Sequence, residues 1–258
     1  MYQHILLEKK GGSARLTLNR PELYNALNET LCREIQQALK EVNDDKTIKV
    51  LILTGAGKGF CSGLDLKSIN IKDSSVSDVV KDLFNPMVTW IRALNIPVIA
   101  LVNGPAVGAG CSLALAADMV IAEENASFGF SFVKIGLIPD TGISYFLPRL
   151  AGSLKAFELF ALGKAITATE AVQYGLINTA IKQEELEATI EQLVAYFVTA
   201  PTKAIGFIKK LVTESVDNSL ASMLDKEAIF QEKAAHTNDF KEGVLAFVTK
   251  RKPDFKGE

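Results

Sequence analysis

The sequence has few of the features that mark secreted, membrane-spanning or metal-binding proteins. Its three cysteines, Cys32, Cys61 and Cys111, are an odd number without paired spacing, which argues against a disulfide framework. It has two histidines, His4 and His236, which lie far apart and outside any Cys/His cluster, so no metal site is predicted. No apolar run approaches 18 residues, and the first residues lack the layout of a signal peptide. We therefore expect a cytoplasmic protein that does not bind a membrane.

A strong charge of either sign is also lacking. The chain of 258 residues has 28 basic and 30 acidic side chains, a net charge of −2. This balance gives no electrostatic reason to expect a nucleic-acid partner or an anionic membrane surface. The short basic ending, "TKRKPDFKGE", is typical of a solvated tail. With 48% hydrophobic residues, the chain is long enough for one large domain, or one domain with an appendage.

The first hundred residues alternate between predicted strands and helices. Paired strands are predicted around Gly11-Gly12, and an amphipathic helix begins after Asn28, a typical capping residue. Residues 56–75 are rich in Gly, Lys and Ser, which predicts an irregular functional loop. The other predicted elements are the buried strand "KVLILTG", a helix over about 76–94, and a second buried strand, "VIALVNG", opened by Pro97.

The rest of the chain turns helical after two further predicted strands. A small-residue helix, "PAVGAGCSLALAAD", precedes the strand "MVIAEEN", and period-two alternation in "SFGFSF" places Phe128, Phe130 and Phe132 on one strand face. Beyond about residue 141 the pattern is mostly helical, with helix starts at Ser153 and at the capping box formed by Thr167 and Glu170. Breaks are predicted at Gly163 and Gly175. An α/β core with a C-terminal helical appendage follows.

Three local patterns resemble known catalytic or nucleotide-binding motifs without fulfilling them. "GFCSG" puts Cys61 where a nucleophile elbow has its nucleophile, but the preceding strand ends near Gly55 and no helix start follows. A cysteine hydrolase is therefore disfavoured. "TGAGKGF" lacks the Walker pattern and "NGPAVGAG" lacks the dinucleotide-binding pattern, which disfavours nucleotide binding.

Two glycine-rich turns each follow a buried strand: "FCSGLDL" and "GAGCS". Glycine permits close backbone approach, and the start of a helix has free N–H groups. Two such groups from different turns could converge on one oxygen and form an oxyanion hole. The alternative is that both are simple tight turns between a strand and a helix. The pattern alone leaves both interpretations open.

Taken together, these stretches resemble the enoyl-CoA hydratase/isomerase (crotonase) superfamily along essentially the whole chain. The motifs that carry the resemblance occur in the family's order: "LTLNRPELYNALN", "LTGAGKGFCSGLDL", "VNGPAVGAGCSLALAADMVIA", "SFGFSFVKIGLIPDTG", "LPRLAG", "ALGKAITATEAVQYGLIN" and "DFKEGVLAFVTKRKPDF". The resemblance implies an α/β crotonase-like fold: a spiral of ββα turns over residues 1–195 and a C-terminal helical trimerisation region over 196–258. It further implies homotrimers, often paired into hexamers.

The resemblance also implies a site that stabilises a thioester enolate with two backbone N–H groups, those of Leu64 and Ala109. Ala109 replaces a frequent glycine, which is tolerable if its backbone angles are ordinary. Coenzyme A, as part of the substrate and not as a separate cofactor, would bind along a set of residues near both turns and in the C-terminal helices. The set is Ala26, Ser62, Gly63, Leu64, Asp65, Leu66, Gly110, Phe132, Phe230 and Lys250, the last two from either the same or a neighbouring subunit.

Departures from the family pattern bear on the expected reaction. Hydration by this family uses two glutamates, and this chain has Ser112 and Phe132 at the corresponding places. A serine without an activator is no replacement for a carboxylate base, and phenylalanine cannot transfer protons. Hydration of the usual kind is therefore disfavoured, although a hydratase in the broad family sense stays an alternative. A non-catalytic binder of CoA thioesters is a second alternative.

Asp140 falls where some isomerases and dehalogenases of the superfamily have a catalytic aspartate. "GLIPD" followed by "LPR", together with the "GAG" turn, is most similar to 1,2-epoxyphenylacetyl-CoA isomerases, which also shift enoyl double bonds. A dehalogenase needs a histidine that no motif here supplies. Asp140 is thus expected to be a proton shuttle, its pKa raised by Ile138, Phe130 and Phe132. The alternative from local sequence is that Asp140 caps a helix beginning near Thr141.

Overall fold

Within residues 2–68 and 75–258, which the computed structural model describes, nine strands form two sheets. Six strands make the larger sheet in the order β1-β2-β3-β4-β6-β9, and three make the smaller sheet in the order β5-β7-β8. The strands are β1 (Ile5–Lys10), β2 (Ser13–Leu18), β3 (Val50–Gly55), β4 (Val98–Val102), β5 (Ala106–Val107), β6 (Met119–Glu123), β7 (Ser127–Gly129), β8 (Ala165–Thr167) and β9 (Thr179–Ile181).

The larger sheet is covered on both faces. The predicted strand pair β1-β2 is antiparallel, and all other neighbouring strands of this sheet run parallel, with Leu51 of β3 opposite Val98 of β4. Side chains of β3 alternate: Leu51 and Leu53 enter the main core, whereas Val50 and Ile52 enter a second core on the other face. Parallel strands buried on both faces have continuous apolar sequences, which explains "KVLILTG".

Helices surround the two sheets and form the C-terminal part of the chain. Asn28 caps α1 by accepting the N–H of Leu31 at 2.9 Å, and Thr167 and Glu170 form the predicted capping box of α7. The helices are α1 (Glu29–Asp44), α2 (Val76–Val79), α3 (Asn85–Ala93), α4 (Ala109–Leu115), α5 (Ile143–Ala151), α6 (Ser153–Ala161), α7 (Ala168–Gln173), α8 (Leu186–Val198), α9 (Thr202–Glu214), α10 (Leu220–Ala235) and α11 (Asn238–Val248).

The predicted helix over 76–94 contains a π-helical segment, Val80–Phe84, between α2 and α3. The wider backbone turn of a π-helix leaves carbonyl groups without their usual α-helical partners. The side-chain amide of Gln36, on α1, donates to two of the carbonyls in this segment, those of Leu83 at 2.9 Å and Asp82 at 3.2 Å. Before this helix, residues 56–68 contain no regular element, as predicted, and 69–74 of the predicted loop lie outside the described residues.

The prediction for "SFGFSF" was wrong in extent. Strand β7 ends at Gly129, and Phe132 lies in a short 3₁₀ helix, Ser131–Ile135. The three phenylalanines therefore do not share one strand face. The short strands β8 and β9 were also missed in the region expected to be mostly helical, because three-residue strands are specified by pairing with distant partners more than by local pattern.

The C-terminal helices α8 and α9 contact the core, the first through apolar side chains and the second through a buried lysine. Leu186 and Ile190 of α8 pack on the outer face of the larger sheet. On α9, the Lys209 ammonium lies 2.8 Å from the Asp118 carboxylate and donates to the Ile91 carbonyl at 2.9 Å. Burial lowers the pKa of Lys209. An α/β core followed by helices is thus confirmed, whereas the boundary at 195/196 stays a prediction.

The surface of the last two helices is rich in apolar side chains, among them Leu220, Phe240 and Phe247, the last 86% exposed. Trimer formation through this region stays a prediction. Within residues 2–68 and 75–258, none of the helices has the length and apolar character that crossing a bilayer requires.

Candidate active site

The two glycine-rich turns identified in the sequence lie against each other. Cys61 and Ala106 form an isolated parallel bridge, and the N–H of Val107 donates to the Cys61 carbonyl at 2.8 Å. Gly63 has φ +82°, and a Cβ there would lie 2.7 Å from the Val107 carbonyl oxygen. A Cβ on Gly110 would collide with the Cys61 carbonyl. Glycine at both positions is what allows this close approach.

This approach brings Leu64 and Ala109 into the wall of one cavity. A Cβ on Gly63, the residue before Leu64, would lie 3.4 Å from the Ala109 nitrogen. Among the described residues, no acceptor takes the N–H of either amide. Ala109 is the first residue of α4, where an N–H has no partner within the helix, and its φ is not positive. The condition for accepting alanine at this position is therefore met.

The cavity has a volume of about 180 Å³ and a mostly apolar wall. Seven of its wall residues come from the predicted site, and Asp140 is the one ionisable side chain among the described residues that line it. The lining residues are Ser62, Gly63, Leu64, Leu66, Phe84, Val107, Gly108, Ala109, Ser131, Phe132, Ile135, Leu137 and Asp140. The structure thus places Leu64 and Ala109, whose amides have no acceptor among the described residues, and Asp140 in the wall of the same small cavity.

Asp140 lies in the loop before α5, half-buried beside this cavity. Its Oδ1 accepts a hydrogen bond from the Thr141 hydroxyl at 2.7 Å. Burial raises the pKa of the Asp140 carboxyl, and the Thr141 hydrogen bond opposes that rise. The predicted direction of the pKa shift is confirmed.

Two of the three predicted neighbours of Asp140 were wrong. Ile138 is 80% exposed and cannot remove water from the carboxylate, and Phe130 is buried against Phe160, outside the cavity wall. Phe132 lines the cavity as expected, together with Leu137, which sequence reasoning missed. The position of Phe130 was wrong because the alternation was extended past Gly129, where β7 ends.

The interpretation of Asp140 as a helix cap is also wrong. Helix α5 begins at Ile143, its capping residue is Gly142, and no side chain caps it. Asp140 contributes its backbone carbonyl, which accepts the Ile143 N–H at 3.1 Å. Its carboxylate is thus not used for helix capping.

Neither Ser112 nor Phe132 is placed to exchange a proton with a ligand. Ser112 is fully buried outside the cavity wall, and its hydroxyl donates to the Asp140 backbone carbonyl at 3.2 Å. Phe132 presents an aromatic ring to the cavity. Neither position supplies a general base.

Cys61 is not a nucleophile. Its side chain is fully buried, its thiol lies 3.3 Å from the Asn25 carbonyl, and burial raises its pKa to about 12. A reactive cysteine needs an accessible thiol with a lowered pKa. The three cysteines are free, and the described residues contain no group of three His, Cys, Asp or Glu side chains that could hold a metal ion.

Three of the predicted CoA-binding residues lie beside the cavity without lining it. The Asp65 carboxylate is paired with the guanidinium of Arg20 at 3.0 Å, and Arg20 also donates to the Ala26 carbonyl. Gly110 is buried in the contact between the two turns. Sequence reasoning missed Arg20, although it lies in the quoted "LTLNRPELYNALN" motif; its buried ion pair joins the segments that contain Ala26 and Asp65.

The two predicted C-terminal residues do not reach the cavity within one chain. Phe230 stacks on Phe207, with ring centroids 5.4 Å apart, and Lys250 is exposed after the end of α11. A contribution of either residue from a neighbouring subunit stays a prediction.

The whole chain is similar to proteins named as isomerases and to the solved structure of an enoyl-CoA hydratase. It is 40% identical, over 100% of both chains, to the 1,2-epoxyphenylacetyl-CoA isomerase of Escherichia coli K12. It is 33% identical to the trans-2-decenoyl-[acyl-carrier-protein] isomerase of Streptococcus mutans, over 100% of this chain and 99% of the relative. The crystal structure of an enoyl-CoA hydratase from Bacillus anthracis superposes with a TM-score of 0.93 at 33% identity, over 99% of this chain and 100% of that one.

The structural similarity confirms the predicted fold, because the solved relative has the same crotonase-like α/β core and helical C-terminal region. The family model described as enoyl-CoA hydratase/isomerase matches residues 8–258. The chain belongs to the enoyl-CoA hydratase/isomerase family of enzymes.

Proposed function

We propose that this chain isomerises acyl-CoA thioesters by moving a double bond from the 3- to the 2-position. Rearrangement of an epoxyphenylacetyl-CoA ring in the same cavity is included in the proposal, since a relative at 40% identity is named for that reaction. The observation that carries the proposal is the cavity itself. One carboxylate, Asp140, shares it with two backbone N–H groups that have no acceptor among the described residues.

In the proposed reaction the thioester oxygen accepts hydrogen bonds from the N–H groups of Leu64 and Ala109. As the proton leaves the carbon next to the thioester, negative charge moves onto this oxygen, and the two donors stabilise it. Each well-placed donor of this kind contributes roughly 2.7–4 kcal/mol at the transition state. Both amides are fixed by the backbone of packed turns, so they need little reorganisation as the charge develops.

Asp140 is the proposed proton shuttle. Its carboxylate takes a proton from C2 of the 3-enoyl thioester, the electrons delocalise as a dienolate, and the carboxylic acid returns the proton to C4. The double bond then lies between C2 and C3, and no atom is gained or lost. The raised pKa of the Asp140 carboxyl suits both steps, because the group must hold the proton as well as remove it.

Hydration is the less favoured reaction because it needs a second group to activate water. In the described lining of the cavity no other ionisable side chain is available. The buried hydroxyl of Ser112 is bonded to a backbone carbonyl, and Phe132 supplies no proton. An apolar wall of this kind instead suits a hydrocarbon acyl group.

Coenzyme A is proposed to bind as part of the substrate, along Ser62, Gly63 and Leu66, which lie at the cavity. Assembly as a homotrimer or a dimer of trimers in the cytoplasm is part of the proposal, supported by the exposed apolar side chains of the last two helices. Sedimentation velocity measures the assembly: a sedimenting monomer would contradict it.

Deuterium exchange tests the reaction. In D₂O the wild-type chain is expected to convert a 3-enoyl-CoA to the 2-enoyl product and to incorporate deuterium into the acyl chain. Asp140→Asn, which keeps the shape of the side chain, is expected to lose at least roughly a thousandfold of this activity. An undiminished variant would contradict the role of Asp140.

A panel of thioesters distinguishes the alternatives. The wild type is offered 3-enoyl-CoA, 2-enoyl-CoA and epoxyphenylacetyl-CoA. Isomerisation of the first or third supports the proposal. Fast hydration of 2-enoyl-CoA would favour a hydratase, and binding of all three without turnover or exchange would favour a non-catalytic CoA-thioester binder.

A further inference from the structure

The residue after Asp140 has a backbone conformation that its side chain disfavours. Thr141 has φ +55° and is 1% exposed. Left-handed backbone is uncommon for residues other than glycine and is a true outlier for a β-branched one. Glycine follows at position 142, with φ +83°, so the chain makes two successive left-handed steps immediately after Asp140. Such conformations persist where the surrounding structure holds them, and they cluster at functional sites.

This conformation directs the Thr141 hydroxyl back to the preceding side chain. It donates to Asp140 Oδ1 at 2.7 Å. Among the described residues, no donor contacts Oδ2. The backbone of Asp140 is fixed separately, because its carbonyl accepts from the Ser112 hydroxyl at 3.2 Å and from the Ile143 N–H at 3.1 Å. One carboxylate oxygen is therefore bound and the other is left for a ligand.

We propose that Thr141 is a positioning residue, which holds Oδ1 of Asp140 with its hydroxyl so that Oδ2 exchanges the proton with the acyl chain. The inference deepens the proposed isomerase function and rests on it. A single oxygen that both takes and returns the proton suits a 1,3-shift, since the carboxyl group need not rotate between the two steps.

The hydroxyl also sets when Asp140 is charged. Burial raises the pKa of this carboxyl and the Thr141 hydrogen bond lowers it. The elements packed around the cavity are the Ser62–Leu66 turn, Phe84 of the π-helical segment, the start of α4, and the 3₁₀ helix, and their described lining residues have no ionisable group. Lys134, the charged residue of that 3₁₀ helix, is exposed outside the lining. Removing the hydroxyl should therefore raise the pKa of Asp140.

Matched substitutions separate the hydroxyl from the shape of the side chain. Thr141→Val keeps the β-branched form without the hydroxyl, and Thr141→Ser keeps the hydroxyl without the branch. For Thr141→Val we expect kcat/KM to fall by roughly tenfold or more. The acidic limb of the pH profile of kcat/KM should also move to higher pH. Thr141→Ser should restore both properties close to wild type. Thr141→Ala is the second hydroxyl-free variant, used if Thr141→Val does not fold.

A measurement without turnover makes the test independent of the proposed reaction. The carboxyl carbons of ¹³C-labelled aspartate are titrated by NMR in each full-length variant, and the Asp140 signal is assigned by its absence in Asp140→Asn. In the hydroxyl-free variant that folds, this signal should titrate at higher pH than in wild type and Thr141→Ser.

The outcomes are distinct. If the hydroxyl-free variants titrate like wild type and keep its pH–rate profile, the inference is overturned. If wild type shows no isomerisation while the NMR shift is present, the proposed function fails and the effect of Thr141 on the carboxyl is still established.

Discussion

The hydroxyl of Ser112, on α4, donates to the backbone carbonyl of Asp140 across 3.2 Å, which ties the helix after one glycine-rich turn to the loop that contains the carboxylate. Ser112, at the position where the family resemblance predicts a glutamate in a hydratase, thus makes a structural contact in this chain. The hydrogen bond connects the side of the cavity lined by Ala109, where α4 begins, with the side lined by Asp140.

Removing the Ser112 hydroxyl should destabilise the loop that contains Asp140 without abolishing the isomerase activity. For Ser112→Ala we expect a loss of about 1 kcal/mol in the free energy of unfolding, the usual value of one such hydrogen bond. Isomerase activity should stay within about tenfold of wild type. Urea unfolding and steady-state rates measure both. A loss as large as that of Asp140→Asn would instead identify Ser112 as part of the proton relay.

Gly63 should be required for the geometry of the two amides. Gly63→Ala introduces a Cβ that would lie 2.7 Å from the Val107 carbonyl oxygen, so the turns must separate and the Leu64 amide moves. We expect kcat to fall by roughly a hundredfold, the effect of losing one oxyanion-hole donor. Gly152→Ala is the control, because Gly152 has nearly the same φ, +81°, with no atom within 4 Å of its would-be Cβ. Equal effects on kcat would show that strain alone is responsible.

Much of this architecture was predictable because it is specified locally. Asn28 as a cap, the Thr167–Glu170 box and the apolar strand "KVLILTG" all use rules that depend on neighbouring residues, and each was confirmed. The motifs also identified the two turns and Asp140 as a group.

The parts that sequence reasoning missed lie in irregular segments or depend on contacts between distant residues. Ile138 lies in an irregular stretch between the 3₁₀ helix and α5, where no periodicity indicates its facing, and the partner of Asp65 is Arg20, 45 residues earlier in the chain. The left-handed conformation of Thr141 had no sequence signal, since a β-branched residue is among the least expected there.

Gln36, on the neighbouring helix α1, should stabilise the π-helical segment through its side-chain hydrogen bonds. Gln36→Leu removes the donor to the Leu83 and Asp82 carbonyls, and we expect a loss of about 1–2 kcal/mol in the free energy of unfolding. Phe84, the last residue of the segment, lines the cavity, so discrimination among acyl groups of different size should weaken as well.

The neighbouring substitution Gln37→Leu is the control for Gln36, because Gln37 is exposed on the same helix. Urea unfolding and kcat/KM ratios across the thioester panel measure the two effects. If both variants behave alike, the contact does not stabilise the segment.

Asp140 should reduce stability at neutral pH while serving the reaction. Burial raises the folded-state pKa of its carboxyl above the ordinary value of about 3.9, so the folded chain binds this proton more tightly than the unfolded chain does. The favourable contribution of the protonated group is fully present below the unfolded pKa and is lost as pH rises through the folded pKa. Asp140→Asn carries no such charge, and its amide oxygen can still accept the Thr141 hydroxyl.

We therefore expect the variant to be more stable than wild type at pH 7, with the advantage shrinking as pH falls toward 3. Urea unfolding at a series of pH values measures this difference, and a variant less stable than wild type at pH 7 would contradict the buried-charge account of the site.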